Sequence, residues 1–220
     1  MGKPRLLDLF CKAGGTTKGY QRAGFYVVGV DIKKQPRYCG DEFFQADAFE
    51  YAAEHGSEFD AIHASPPCQG YSVGTGFGHK RDVPKLINEV RGLLKKTGLP
   101  FIIENVMGAR RHMRNPVMLC GSMFGLQIVR HRLFEVSFEC EQPWHSCHGP
   151  ELDRDLVSVT AHGPPPRWYR KNPGKKFSLQ IWKDAMGVDW MIRDELRDAI
   201  PPLYTELIGR QLMRIIKGQQ

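Results

Sequence analysis

The run Ser65-Pro66-Pro67-Cys68-Gln69 places a thiol in a turn directly after an apolar, strand-like stretch at 59–64. Two prolines fix φ and remove backbone donors, so the cysteine is held on a shaped turn. A second apolar run, Pro100-Phe101-Ile102-Ile103, ends in Glu104-Asn105-Val106. A cysteine nucleophile and a carboxylic acid at the ends of two buried strands are the parts needed for covalent chemistry on a base. The thiolate is the attacking species, so its local field must favour the anion, and Arg130 and Arg132 are candidates to supply positive charge. A glycine-rich segment at 69–79 follows the cysteine and has the composition of a closing lid. Cys11, Cys39 and Cys120 lack such a context and read as small inert hydrophobes.

These groups need a scaffold, and the hydrophobic pattern supplies one. Strand-like runs at 5–10, 25–31, 42–47, 59–64 and 101–104 alternate with helical patterns at about 16–23 and 84–96. Further extended runs stand near 117–119 and 132–138, and the last helix starts around Pro201-Pro202. The alternation predicts an α/β fold with an open, mostly parallel sheet. Acids or glycine turns close the first three strands, at the edge where such sheets bind ligands. Gly14-Gly15 before a helix, with Asp31 ending the second strand, fits a nucleoside-containing cofactor or a purely structural turn. The dinucleotide fingerprint G-x-G-x-x-G is absent.

The chain has 220 residues and a formal charge of +7, ordinary for one globular core with a small appendage. No apolar stretch is long enough to span a bilayer, and the N-terminus does not read as a signal peptide. The six cysteines show no paired spacing and are expected as free thiols in a cytoplasmic protein. Between 139 and 176 the α/β pattern dissolves, which sets this stretch apart from a catalytic domain formed by 1–138 and 177–220. Arg167, Arg170 and Lys171 surround Trp168 and Tyr169 there. Basic residues interleaved with aromatics suit phosphate contact plus stacking, or a solvated basic loop.

Five motifs, in order, resemble the cytosine-C5 DNA methyltransferases. Asp8-Leu9-Phe10-Cys11-Lys12-Ala13-Gly14-Gly15 is similar to their first motif, Pro67-Cys68-Gln69 to their catalytic turn, and Glu104-Asn105-Val106 to their acid motif. Arg130-His131-Arg132 resembles their paired arginines, and Ala199-Ile200-Pro201-Pro202 the start of their final motif. The resemblance implies a Rossmann-like S-adenosylmethionine-dependent methyltransferase of a small phage or bacterial type, working as a cytoplasmic monomer on DNA. It implies that Cys68 attacks C6 of a flipped-out cytosine, that Glu104 serves N3, and that Arg130 and Arg132 orient the base. Phe10, Gly14, Gly15, Asp31, Asp47, Pro67 and Asp198 would line the cofactor. Gln69 and Ser72, with Arg167, Trp168, Arg170 and Lys171 of the 139–176 target-recognition module, would face DNA. The same chemistry on RNA, or a non-catalytic DNA-binding relative, are the alternatives.

The chain departs from the family at four points. Lys12-Ala13 replaces a glycine-containing stretch, Gln127 is displaced by one residue from its usual spacing, and Asp198 stands where an asparagine is usual. The recognition module is also short, which predicts a short or loosely read target. Cys140, His145, Cys147 and His148 fit no common zinc finger, so no metal is assigned to them on sequence.

Overall fold

The computed structural model describes residues 2–71, 84–145, 157, 159 and 177–218. The first half runs β1 (Arg5–Leu9), α1 (Gly15–Arg22), β2 (Tyr26–Asp31), β3 (Glu42–Gln45), α2 (Ala48–His55), β4 (Ala61–Ala64), α3 (Ile87–Thr97) and β5 (Phe101–Asn105). The second half adds β6 (Val117–Leu119), β7 (Arg132–Val136), α4 (Leu179–Met186), α5 (Arg193–Asp198) and α6 (Pro202–Ile216). All seven strands form one sheet in the order β3-β2-β1-β4-β5-β7-β6. Strands β1 to β5 are parallel, while β7 runs antiparallel between β5 and β6.

The near-continuous apolar runs of β1, β2, β4 and β5 are what a parallel strand covered on both faces requires. On one face Leu7, Val28, Ile62 and Ile103 pack with Ile87, Val90 and Leu94 of α3. On the other, Leu6, Val27 and Ile102 pack with Tyr20 of α1 and Tyr204, Ile208 and Leu212 of α6. The contact between α1 and α6 is close enough to demand glycine. A Cβ at Gly19 would lie 2.2 Å from the Pro202 carbonyl oxygen, and one at Gly209 would lie 2.8 Å from Cβ of Ala23.

Two elements differ from the sequence expectation. The strand expected at 42–47 stops at Gln45, because Asp47 is extended and caps a helix. Its carboxylate accepts the Phe49 and Glu50 amides, satisfying two of the orphan donors at a helix start. That helix, α2, is short and carries Phe49 and Tyr51 beside alanines, so its periodicity is weak in sequence. The helix expected from about Pro84 begins three residues later, at Ile87.

One buried ion pair holds α3 against the sheet. Arg91 donates to both carboxylate oxygens of Glu135 (2.5 and 2.7 Å) and to the His112 carbonyl, and Glu135 also accepts the Arg114 amide. Removing one partner of such a pair strands the other charge in the core. Arg91→Ala should therefore cost about 3 kcal/mol or more, read as a lower urea midpoint; a loss under about 1 kcal/mol would mean Glu135 finds water instead.

Of the 139–176 stretch, residues 139–145, 157 and 159 are described. Val157 and Val159 are buried against Ile128, Trp182 and Met186. The Val157 amide donates to the Gln127 carbonyl. These two residues thus share a core with α4.

Candidate active site

The strand order reverses between β1 and β4, the position at which open α/β sheets form a ligand crevice. The turn after β1 is tight: Phe10 and Lys12 adopt φ of +61° and +46°, and Gly14 +87°. A left-handed conformation is costly for residues with a Cβ, so tertiary contacts must hold it. The Asp31 carboxylate does so at the end of β2. It accepts the Lys12 amide (3.1 Å) and the Lys33 amide (2.9 Å). Trp190 donates its indole N–H to the Ala13 carbonyl from the far side. A Cβ at Gly15 would lie 2.6 Å from the Ile200 carbonyl oxygen, so this turn and the start of the final motif are in direct contact.

Further along this edge, Asp47 uses Oδ1 for both capping bonds, leaving Oδ2 without a protein partner among the described residues. Phe10 is half-buried and packs edge-on to Phe49. Beneath the turn, Asp8 is fully buried and accepts the Thr16 and Thr17 hydroxyls on Oδ2. Burial pushes its carboxyl up to about 7 against those hydrogen bonds.

At the next strand ends the two sequence-predicted reactive motifs come together. β4 pairs β5 with Ala64 opposite Ile103, so one step further Ser65 faces Glu104. The Asn105 side-chain amide donates to the Pro66 carbonyl (3.0 Å), tying the cysteine turn to the end of β5. Because β7 is antiparallel, its first residue, Arg132, lies at this same edge, with Nε 3.2 Å from Oε1 of Glu104. Pro67 and Cys68 are half-buried here, and Gln69 is exposed.

Glu104 is also reached from inside the molecule. The buried Tyr20 hydroxyl lies 2.8 Å from Nδ1 of His63, whose Nε2 lies 2.9 Å from Oγ of Ser65. Ser65 in turn hydrogen-bonds Glu104. His63 has no exposure and burial pulls its imidazole down to about 3, so the ring is neutral. With one ring proton, the consistent assignment has Tyr20 donating to Nδ1 and Nε2–H donating to Ser65, which passes its own proton toward Glu104. Burial raises the Glu104 carboxyl, opposed by Arg132, by Ser65, and by the more distant Arg130 and Lys12.

Ser65→Ala removes one bond that favours the carboxylate. The Glu104 pKa should rise further, moving the alkaline limb of any Glu104-dependent rate upward in pH. An unmoved limb would show that Ser65 does not act on this acid.

A family model for the C-5 cytosine-specific DNA methylases matches residues 4–119. This span carries both the Gly14-Gly15 turn after β1 and the Cys68 and Glu104 motifs. The chain belongs to the C-5 cytosine-specific DNA methylase family. The Type II methyltransferase M.AplI of Arthrospira platensis is 27% identical over 180 residues, covering 71% of this chain and 50% of that protein. The Type II methyltransferase M1.HphI of Haemophilus parahaemolyticus is 29% identical over 118 residues, covering 46% of this chain and 32% of that protein. This methylase thus spans half or less of the length of these curated relatives. The S. pombe Dnmt2 methyltransferase shares its fold, with a TM-score of 0.61 at 14% identity over 96% of this chain and 99% of that one.

Two departures from the family pattern turn out to be one contact in this methylase. Lys12 Nζ lies 2.6 Å from Oδ2 of Asp198, bringing together residues of the first and last motifs. The added cation and the added carboxylate neutralise one another beside the turn after β1. A second pair, Arg37 with Glu195, anchors α5 to the same rim.

Arg130 stands differently from its expected role beside Arg132. Its buried guanidinium donates to the Val159 carbonyl (2.9 Å) and the Arg197 carbonyl (2.5 Å), while its own carbonyl accepts the Tyr204 hydroxyl. It braces three segments, whereas Arg132 contacts the acid. Ser72, Arg167, Trp168, Arg170 and Lys171 lie outside the described residues, as does most of the expected lid. The described basic cluster, Arg110, Arg111 and Arg114, is exposed on the turn that follows Asn105.

Sequence reasoning overlooked Asn105, His63 and Ser65 as positioning groups. Asn105 sat inside a quoted motif, but its partner is a carbonyl, which no motif displays. Cys120, read as inert, is also different. Burial alone would raise its thiol, but hydrogen bonds from His131, Ser122 and His145 bring it down to about 5.

Proposed function

We propose that this methylase transfers a methyl group to C5 of a flipped-out cytosine in DNA, through a covalent bond between Cys68 and C6. The observation that carries the reading is the Asn105–Pro66 hydrogen bond, which joins the cysteine turn to the strand end bearing Glu104. Nucleophile and acid are thereby held on one frame, with Arg132 against the acid.

Cytosine C5 is a weak nucleophile, and attack of the Cys68 thiolate at C6 would convert the ring to an enamine-like species. That attack places charge on the ring, which Glu104 offsets by holding a proton at N3. A carboxyl that must be protonated near neutral pH needs a raised pKa, and burial at the end of β5 acts in that direction. Arg132 fixes the orientation of the acid. Loss of the C5 proton after substitution re-forms the ring double bond and expels the thiolate.

The residues at the other end of the crevice fit S-adenosylmethionine. The held Asp31 carboxylate suits ribose hydroxyls, and the open Oδ2 of Asp47 suits an exocyclic amine. Ile32 is 66% exposed directly after Asp31, and with Phe10 offers apolar surface to a purine. When bound, S-adenosylmethionine supplies an electrophilic methyl group. The Lys12–Asp198 pair would border its methionine end.

A base inside a duplex is out of reach, so the target must leave the stack. Gln69 and the arginines at 110, 111 and 114 are exposed, and would supply contacts to the nucleic acid. Trp144, 85% exposed, offers a stacking face. Incubation with labelled methyl donor and either duplex DNA or RNA tests the reading. Label should enter DNA as 5-methylcytosine, and DNA bearing 5-fluorocytosine should be trapped covalently because fluorine blocks the final elimination. Label confined to RNA, or no label at all, would overturn it.

A further inference from the structure

Outside the crevice, three side chains converge in an arrangement that the methyl-transfer chemistry does not use. Strands β6 and β7 pair with Leu119 opposite Arg132, so the next residues out, Cys120 and His131, stand side by side at the end of the hairpin. His145 reaches the same point from the chain beyond β7. Nε2 of His131 and Nε2 of His145 are 3.3 Å apart, with the rings nearly perpendicular. One ring nitrogen of each histidine and Sγ of Cys120 all lie within 4.8 Å of one another.

We propose that Cys120, His131 and His145 bind a divalent transition metal of the zinc class, which fastens the chain after β7 to the hairpin carrying Arg130 and Arg132. Zinc–nitrogen bonds of about 2.05 Å at a tetrahedral angle put two ligand nitrogens about 3.3 Å apart. The imidazoles already have that separation. A sulfur ligand at about 2.3 Å would sit about 3.6 Å from each nitrogen, inside the 4.8 Å within which the three donors already lie. One thiolate and two neutral imidazoles form a soft donor set that favours zinc over magnesium or calcium. Binding releases the thiol proton, and a water completes the tetrahedron.

The donors come from separate segments, as a structural clamp requires. Cys120 is fully buried and starts a 3-10 turn, while both histidines are half-buried. His131 lies between the brace Arg130 and the acid-contacting Arg132. An ion there would fix the turn from which both arginines project, and would anchor the segment that carries His145. Cys140, a candidate ligand by sequence, lies elsewhere: it packs beside the α6 face of the sheet, with Sγ toward the Glu141 carbonyl.

The metal site stands independently of the methyl-transfer reading, and its test reads metal rather than activity. The full chain, stripped with chelator and titrated with Co2+, should take up about one ion and develop a thiolate-to-cobalt absorption band. Cys120→Ser should abolish that band, and His145→Ala, at the half-exposed margin, should weaken binding by at least about tenfold. Cys140→Ser should leave both unchanged, and circular dichroism checks that each variant is folded. Absence of the band, its survival in Cys120→Ser, or undiminished affinity in His145→Ala would overturn the proposal.

Discussion

Cys68→Ala should abolish methyl transfer, lowering the rate on the order of 10⁴-fold or more, while leaving the fold unchanged. The thiol is half-buried on a turn, not in the core, so alanine creates no large cavity. The turn itself is held by its prolines, by the Ser65 amide bonded to the Leu9 carbonyl, and by Asn105. None of these involves the sulfur. Labelled-methyl incorporation measures the loss, and trapping on 5-fluorocytosine DNA should vanish with it. Serine at this position should fare little better, because its alkoxide is scarce at neutral pH. Residual activity within about a factor of ten of the native chain would place the nucleophile elsewhere.

Glu104→Gln should lower the rate by about 10²- to 10⁴-fold, the range for a positioned acid or base, and should change the shape of the pH profile. The working form of Glu104 is the protonated one. Burial raises its pKa, so that form persists to higher pH than for an exposed glutamate, and the rate should fall as pH climbs through the raised value. The glutamine amide can still donate toward N3, but it cannot titrate or neutralise developing charge. The alkaline limb should therefore disappear while the remaining rate stays low. Persistence of the same limb in Glu104→Gln would assign it to another group. Arg132 loses its partner in this variant but keeps 15% exposure of its side chain, so water can take the place of the carboxylate.

The strands and the residues that stand at their ends are legible because they rest on local signals. Apolar runs such as Leu6-Leu7 and Ile102-Ile103 announce buried strands, and the first motifs stand directly after them. A side chain at or shortly after a strand end must appear at the sheet edge, so the placement of Asp31, Cys68 and Glu104 there follows from the strands alone. The helix α2 was not legible, because Asp47 reads equally well as the last residue of a strand or as a helix cap.

What the sequence by itself determined is the family, the sheet and the strand ends at which Cys68 and Glu104 stand, since each depends on residue type and on spacing along the chain. Only the tertiary structure decided which distant residues meet. Lys12 and Asp198 appeared as two separate anomalies and are one ion pair. Arg130 and Arg132 looked equivalent, yet Arg130 lies before β7 and braces two carbonyls, while Arg132, the first residue of β7, meets Glu104. Cys120 and His131 became neighbours through antiparallel pairing, a relation set by strand register rather than by spacing. Contacts of this kind depend on the relative placement of packed elements, and a linear pattern carries no record of it.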